Sequence, residues 1–507
     1  ISLQPSRLAS CERAQFIAML GPERAREDHD ARVCHARGKS YHDLLHLRAG
    51  PLADVPDVVL CPRDADDVLA ILRIADKSGI AIVPYGGGTS VVGGVSARAP
   101  DFNAVATLDV SALDHVLDID LPTRTARAEA GIAGPALERA LAEKGVTLGH
   151  TPQSFEFSTL GGWIAHRGAG QQSNRYGKPE NWLVAATLAT PRGMLAADSF
   201  PASAAGPRLI DLIAGSEGAF GVITDATFRI HAKPARVEDR GYLFRDFESG
   251  MTAVRRAMQD EISNSMLRLS DSDETSFYGA LSAIGAPRSP LRVTSRKYLD
   301  WRGFDERAAV LIASFEGTDS DVATARSRFG ALASQLGAVS LGRAPGRSWR
   351  AGRFRAPYLR DPMLDRGLGI DTFETAAGWP KLAGLHAAVR EALEKAVRDT
   401  APYPSARAIV LCHVSHSYPE GASLYFTCIF PRALGEEIAQ WRAIKNAASN
   451  AIAENGGTIS HHHGVGEDHL SWMAREKGEL GVEVLRAVKR TLDPNGILNP
   501  GKLIPAS

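Results

Sequence analysis

The chain has 507 residues, too many for one compact core, so its length predicts two to four domains. Its 44% apolar, 23% charged and 7% aromatic residues are those of an ordinary globular protein. Lys plus Arg, 58, equals Asp plus Glu, 58, so there is no overall basic field to gather nucleic acid, and a nucleic-acid partner is excluded from the expectations. No apolar run reaches the roughly 18 residues of a membrane-spanning helix. Five cysteines without CxxC spacing argue against a disulfide framework and for a reducing, cytoplasmic setting. Ile1 in place of Met suggests a trimmed or partial N-terminus with no visible signal, and the IPAS ending is not the SKL peroxisomal address.

Residues 1–50 mix charge without a clean period and read as short helices packed on something larger. From Asp57 the pattern sharpens: DVVLCP is a buried strand, ADDVLAILRIADKSG a helix stopped at Gly79, and IAIVPY a second strand. This is an α/β unit. PYGGGTSVVGGV follows, and Gly86, Gly87 and Gly88 leave backbone amides able to turn toward one anion. Neither the G-x-G-x-x-G spacing nor a Walker lysine is present, and a glycine-rich hairpin is the alternative. Two more small-residue loops come at 149–177 and 214–230, the latter closing in the strand ATFRI. A dinucleotide laid across all three loops explains them together.

After HAKPARVED (231–239) the ridges LRVTSRKYLDW, AAVLIASFEG and ASLYFTCIF alternate with the helical stretches MTAVRRAMQD and LHAAVREALEKAV. They predict an α+β domain with an antiparallel sheet. The tail VEVLRAVKRTLDPNGILNPGKL is a helix ending in a Pro/Asn/Gly turn.

The motifs PYGGGTSVVGG, PQSFEFSTLGGWIA, GSEGAFGVITDATFRI, DTFETA, HVSHSYPEGASLYFT, SHHHGVG and DPNGILNPGK resemble those of the vanillyl-alcohol-oxidase-type flavoproteins. Within that group the resemblance is to the alkyldihydroxyacetonephosphate (alkylglycerone-phosphate) synthases, as a bacterial-like member. The flavin loops and the NPGK ending are shared broadly, whereas SHSYPEGASLYF combined with SHHHGVG is narrower. The resemblance implies an α+β protein with a two-part FAD-binding domain of the vanillyl-alcohol oxidase (PCMH) type and an α+β cap carrying an antiparallel sheet. The expected divisions are an N-terminal helical segment at 1–50, the FAD domain at 51–235, the cap at 236–450 and a completing C-terminal segment at 451–507.

Carried over position by position, the FAD contacts fall first on Pro84, Tyr85, Gly86, Gly87, Gly88, Thr89, Ser90 and Gly94. A second group is Pro152, Gln153, Ser154, Ser158, Thr159 and Gly162, and a third Ala165, His166, Arg167 and Gly168. The fourth is Gly215, Ser216, Glu217, Gly218, Gly221 and Ile223. Thr89 stands where relatives with covalent flavin carry histidine, so non-covalent FAD is expected. The resemblance implies a redox-neutral reaction that exchanges the acyl group of an acyl-dihydroxyacetone phosphate for a fatty alcohol through a flavin adduct. The catalytic tyrosine matches Tyr418, the histidine tract His461, His462 and His463, and two arginines match Arg268 and Arg360, the latter toward substrate. A lipid substrate implies peripheral membrane contact, and a homodimer is expected.

The residues themselves support this chemistry to different degrees. Tyr418 is a proton relay if a neighbour lowers its phenol, or else a cross-strand aromatic in the core, and His416 shares its strand face if the segment is extended. Three consecutive histidines on extended backbone point alternately, so His461 and His463 converge while His462 turns away. No nearby Cys or HExxH spacing completes a ligand set, so no metal is expected. Arg268 and Arg360 offer planar forks to phosphate or carboxylate, and RSWRAGRFRAPYLRD places five arginines in fifteen residues. Against the bacterial pattern, His166 replaces a small hydroxyl residue, Asn181 a carboxylate, and Glu467 a basic residue beside the tract. The changes near the tract weigh against a phosphate-bearing substrate. The competing expectations are an FAD oxidoreductase of a 2-hydroxy acid, alcohol or phenol, and a flavin-binding protein without catalysis.

Overall fold

The computed structural model describes residues 1–197, 200–283, 297 and 299–505, which fall into two compact units. The first comprises Ile1–Gly170, Gly177–Ala232 and His462–Ser507; the second comprises Gln171–Tyr176 and Lys233–His461. Among the described residues no helix is long and apolar enough to cross a membrane.

Among the described residues the first unit holds two main sheets, of four and five strands, and two two-stranded ones. In the four-stranded sheet, strands run in the order Ala25–Arg26, Val58–Leu60, Ala104–Asp109, Ile80–Tyr85, with the last three parallel. The helix Ala65–Ser78 makes the crossover parallel strands require. Asp64 caps it by accepting the Asp67 N–H, and Gly79 ends it at φ 61°. Its buried Val68, Ile71, Leu72 and Ala75 form the stripe that packs on the sheet. The chain's tail joins the same sheet: Ile82 donates to the Ile497 carbonyl and accepts from the Asn499 N–H. The five-stranded sheet is antiparallel, in the order Gly193–Ala197, Leu183–Thr190, Val222–Arg229, Thr125–Glu129, Val116–Asp120. Trp163, Trp182 and Phe228 lie in its core.

The N-terminal residues form helices Ser10–Leu20, His29–Cys34 and Tyr41–Arg48, but they also contribute a strand that helical reading misses. Ala25 pairs with Leu60, so this segment extends the sheet rather than merely covering it.

The second unit is built on one seven-stranded, fully antiparallel sheet. Its order is Val339–Gly342, Arg236–Phe244, Ala309–Gly317, Met266–Ser270, Ile409–Ser417, Gly421–Pro431, Leu368–Gly378. Because side chains alternate along a strand, register assigns each residue to a face. Leu269, Val414, Leu424 and Thr375 lie directly opposite one another on one face. Helices Phe247–Gln259, Asp319–Gln335 and Leu382–Asp399 cover that face, with Gly250 against Leu269, Phe329 on Phe315 and His386 stacked near Phe426. The neighbouring row, Ser270, His413, Tyr425 and Glu374, belongs to the other face and is polar throughout.

Of the expected ridges, AAVLIASFEG and ASLYFTCIF are strands, while in LRVTSRKYLDW residues 291–296 and 298 lie outside the described residues and residues 299–301 are helical.

Candidate active site and cofactor cradle

In the first unit the four glycine-rich loops pack against one another. A Cβ on Gly87 would lie 1.8 Å from the Phe157 carbonyl oxygen, so the first and second loops touch through bare backbone. A Cβ on Gly218 would meet Pro84 at 2.9 Å, which joins the fourth loop to the first. The third and fourth are tied by N–H groups of Gly215 and Glu217, which donate to the carbonyls of Ile164 and Ala165 at 2.9 and 3.0 Å.

Glu217 is the fastener of this cluster. It sits at φ 47°, in the left-handed region that costs a side-chain-bearing residue roughly 1–2 kcal/mol. Its buried carboxylate accepts the backbone N–H groups of Val465 and Gly466, both at 2.7 Å. Its carbonyl accepts from Asn499 Nδ2 at 2.6 Å. One residue thus secures both the GVG turn and the NPGK ending. Sequence reading took Glu217 for a cofactor contact and gave no hint of this second task.

Several residues expected to touch the cofactor are used by the protein itself. Tyr85 donates its hydroxyl to the Cys34 carbonyl, Ser158 accepts the Trp163 indole N–H, and Thr159 caps the helix Leu160–His166. Gly221 and Ile223 pack inward, Gly221 against Leu188 and Ile223 in the core. Asn181, in place of a carboxylate, accepts the Lys178 N–H at 3.0 Å. Glu467 does not add a net negative charge beside the tract: Lys502, whose side chain is fully buried, lies 3.2 Å from it. The objection to a phosphate-bearing substrate loses that part of its basis.

The cap sheet in the second unit carries the residues expected to act as acid–base groups. Strands Ile409–Ser417 and Gly421–Pro431 form a hairpin, and the register shifts between Val414 and Ser417. This bulge re-aims the strand end, as bulges do. Tyr418 therefore lies past the strand, at the hairpin tip, and does not share a regular strand face with His416. Its hydroxyl stands 2.6 Å from Nε2 of His461, within hydrogen-bond distance. His416 also approaches His461, with ring centroids 5.0 Å apart.

His461 is held from behind by Glu374. That buried carboxylate accepts the His461 N–H at 2.8 Å and the Ser460 hydroxyl at 2.7 Å. The expected alternation of the tract does not occur, because residues 461–463 are bends rather than extended backbone. In the first unit the rings of His462 and His463 meet edge to face, 4.7 Å between centroids.

Arg268 reaches Glu274 at 2.9 Å, Ser270 at 3.1 Å and His413 Nδ1 at 3.1 Å. Burial pushes the Glu274 carboxyl up, but Arg268 and His413 outweigh it and hold it well below the usual range. Burial and the Arg268 charge push the His413 imidazole down, toward its neutral form. Arg360 reaches the Thr372 hydroxyl at 3.4 Å, on the same polar face. The structure thus places Arg268, Arg360, Tyr418 and His461 in the second unit, with Glu374, Glu274 and His413 as partners that sequence reading did not name. Only the acidic residue inside DTFETA hinted at Glu374.

A model of the FAD binding domain matches residues 56–197, and one of the FAD linked oxidases, C-terminal domain, matches residues 233–503. The alkyldihydroxyacetonephosphate synthase of Dictyostelium discoideum is 35% identical over 494 residues, covering 97% of this chain and 80% of its own. That of Caenorhabditis elegans is 34% identical, covering 98% of this chain and 84% of its own. The chain belongs to the alkyldihydroxyacetonephosphate synthase family of FAD-linked oxidases. A solved alkyldihydroxyacetonephosphate synthase structure matches this synthase-family chain with a TM-score of 0.82 at 32% identity, covering 99% of it and 86% of the solved chain. These relatives do not support the finer placing as a bacterial-like member.

FAD is the cofactor of this synthase-family member, and its residues fit that group. The first unit gathers these loops of small residues, and Gly86–Ser90 offers backbone N–H groups, the donors a diphosphate requires. Within them, the buried Ser216 Oγ and His166 Nδ1 have no hydrogen-bond partner among the described residues. Buried polar atoms are almost always satisfied, so these two suit a polar ligand. The backbone of Gly86–Ser90, with the side chains of Ser216 and His166, would hold it.

Glu374 offers a test of how His461 is aligned with Tyr418. Glu374→Ala removes two hydrogen bonds that fix the start of the tract but no group expected to exchange protons. Turnover should fall by roughly 10–100-fold, the cost of misplacing a reacting group by about 1 Å. FAD content should stay at one per chain, measured by absorbance. Unchanged turnover would show that His461 keeps its place without the carboxylate.

Proposed function

We propose that this enzyme exchanges the acyl group of an acyl-dihydroxyacetone phosphate for a fatty alcohol without net electron transfer. The observation that carries this reading is the Tyr418–His461 contact of 2.6 Å, a phenol and an imidazole positioned as a proton relay. Bound FAD would supply a nucleophilic ring nitrogen to this chemistry. Tyr418, with its proton shared to His461, takes the proton that the incoming alcohol gives up. His462 and His463 hold the head group and return protons. Arg360 binds the phosphate through its planar fork. Arg268, already committed to Glu274, orients His413 in the polar row. The leaving fatty acid departs as its carboxylate, so the electron count of the cofactor is unchanged over a cycle. A fatty alcohol resides in membranes, so the reading also implies peripheral contact with a bilayer surface.

An anaerobic flavin spectrum tests this directly. With an acyl-dihydroxyacetone phosphate and a fatty alcohol, an ether product should form while no reduced flavin accumulates. With 2-hydroxy acids, alcohols and phenols alone, the flavin should keep its oxidised spectrum. Bleaching by one of these, with electrons passing to oxygen or a dye, would replace the transferase reading with an oxidase or dehydrogenase.

A further inference from the structure

At the edge of the cap sheet, on the face opposite the Ser270–Glu374 row, four arginines surround Glu238. Arg240 lies 2.7 Å from one carboxylate oxygen, and Arg236 and Arg343 each lie 2.8 Å from the other. Arg326 makes the longest contact, 3.4 Å. Glu238 is nearly inaccessible: burial pushes its carboxyl up, yet Arg240 and Arg236 pull it down to about 2. It is therefore an anion across the working pH range, and its two oxygens are already well occupied by three guanidiniums. Asp319 takes part of Arg236 and no other arginine of the group, so positive charge remains in excess.

Two of the four arginines also line a cavity. Arg240 and Arg326 line a space of about 270 Å³ between strand Arg236–Phe244, strand Val339–Gly342 and helix Asp319–Gln335. Ser327, Ser334, Ser340 and Tyr242 are also among its lining residues. Guanidinium forks with clustered hydroxyls are suited to a tetrahedral oxyanion. The volume admits a phosphate with a body the size of glycerol.

We propose that this cavity is a second anion site, taking a phosphate ester through Arg240, Arg326 and the surrounding serines. Such a group comes either from a soluble phosphometabolite or from a phospholipid head group. The site uses none of the residues assigned to the acyl–alcohol exchange.

The FAD-loaded enzyme should be titrated calorimetrically with sn-glycerol 3-phosphate at low salt. In parallel, it should be floated with phosphatidylcholine vesicles that contain or lack phosphatidate. Arg326→Gln should weaken one binding event at least tenfold. Ser334→Asp leaves the arginine–Glu238 contacts in place and should do the same by charge repulsion, which covers the case in which the arginine variant folds poorly. Arg328→Gln removes the same charge from the same helix, where Arg328 contacts the Asp260 and Glu261 carbonyls instead, and should bind as the parent does. A loss confined to the soluble ligand assigns the site to a phosphometabolite, and a loss confined to phosphatidate vesicles assigns it to a lipid. Equal binding by the parent and the Arg326 and Ser334 variants, or an equal loss in Arg328→Gln, overturns the proposal.

Discussion

Tyr418→Phe is expected to lower kcat/KM by roughly 10²–10⁴-fold, the scale of a positioned acid–base group. The substitution removes one oxygen from a half-buried ring at a hairpin tip, so the fold has little reason to respond. His461→Ala should cost about as much, because without an imidazole 2.6 Å away the phenol has lost the group that shares its proton. Residues that act as one unit are strongly non-additive. The double variant should therefore be hardly worse than the poorer single one, under conditions where chemistry limits the rate. FAD content should remain normal in all three. Fully multiplicative losses would mean that the two side chains work independently. An undiminished rate for Tyr418→Phe would remove the observation on which the transferase reading rests.

Gly87→Ala should act on the cofactor instead. The new methyl would lie 1.8 Å from the Phe157 carbonyl oxygen, far inside contact distance and against backbone that has no rotamer to change. One of the two loops must move by more than an ångström. Overpacking of this kind costs about 1–3 kcal/mol, and if the loops bear that cost when FAD binds, affinity falls about 5–150-fold. The measurement is flavin per chain after gel filtration, with flavin expected to be released by acid because Thr89 stands where covalent relatives carry histidine. Gly384→Ala is the control, since nothing lies within 4 Å of a Cβ there and a helical alanine is favourable. If Gly87→Ala retained its flavin as fully as the control, the first and second loops would not form the cradle.

What the sequence revealed depended on how local each signal was. The helix Ala65–Ser78 was legible because its cap, apolar stripe and terminal glycine lie within one continuous stretch. The strand Ile80–Tyr85 was legible as a short apolar run next to it. The strand Ala25–Arg26 was not, because two residues show no period and their strand character comes from Leu60 and Val59. Glu374 reads simply as an acid in a strand; its task depends on a register that sets it opposite Tyr425 and on a segment 87 residues away. The bulge before Tyr418 has no glycine or proline to announce it, so the extended-strand expectation failed there. Tyr85, Ser158 and Thr159 were expected to touch FAD, yet their polar atoms satisfy nearby backbone or indole groups that sequence alone does not bring close.

The alternation of the cap sheet sets two different rules for replacing its residues. A strand read in twos demands apolar side chains on one parity, where Cys412, Val414 and Phe426 lie on the helix-covered face, and polar partners on the other, where His413, Ser415 and Tyr425 lie. A one-residue deletion between Ile409 and Val414 would exchange the two sets and bury the polar row among the helices. Past the irregularity at Val414–Ser417 that phase is already reset, so the tip can gain or lose a residue without the rest of the sheet changing parity. A lineage of such enzymes could revise the reacting end of the hairpin repeatedly while inheriting the same frame beneath it.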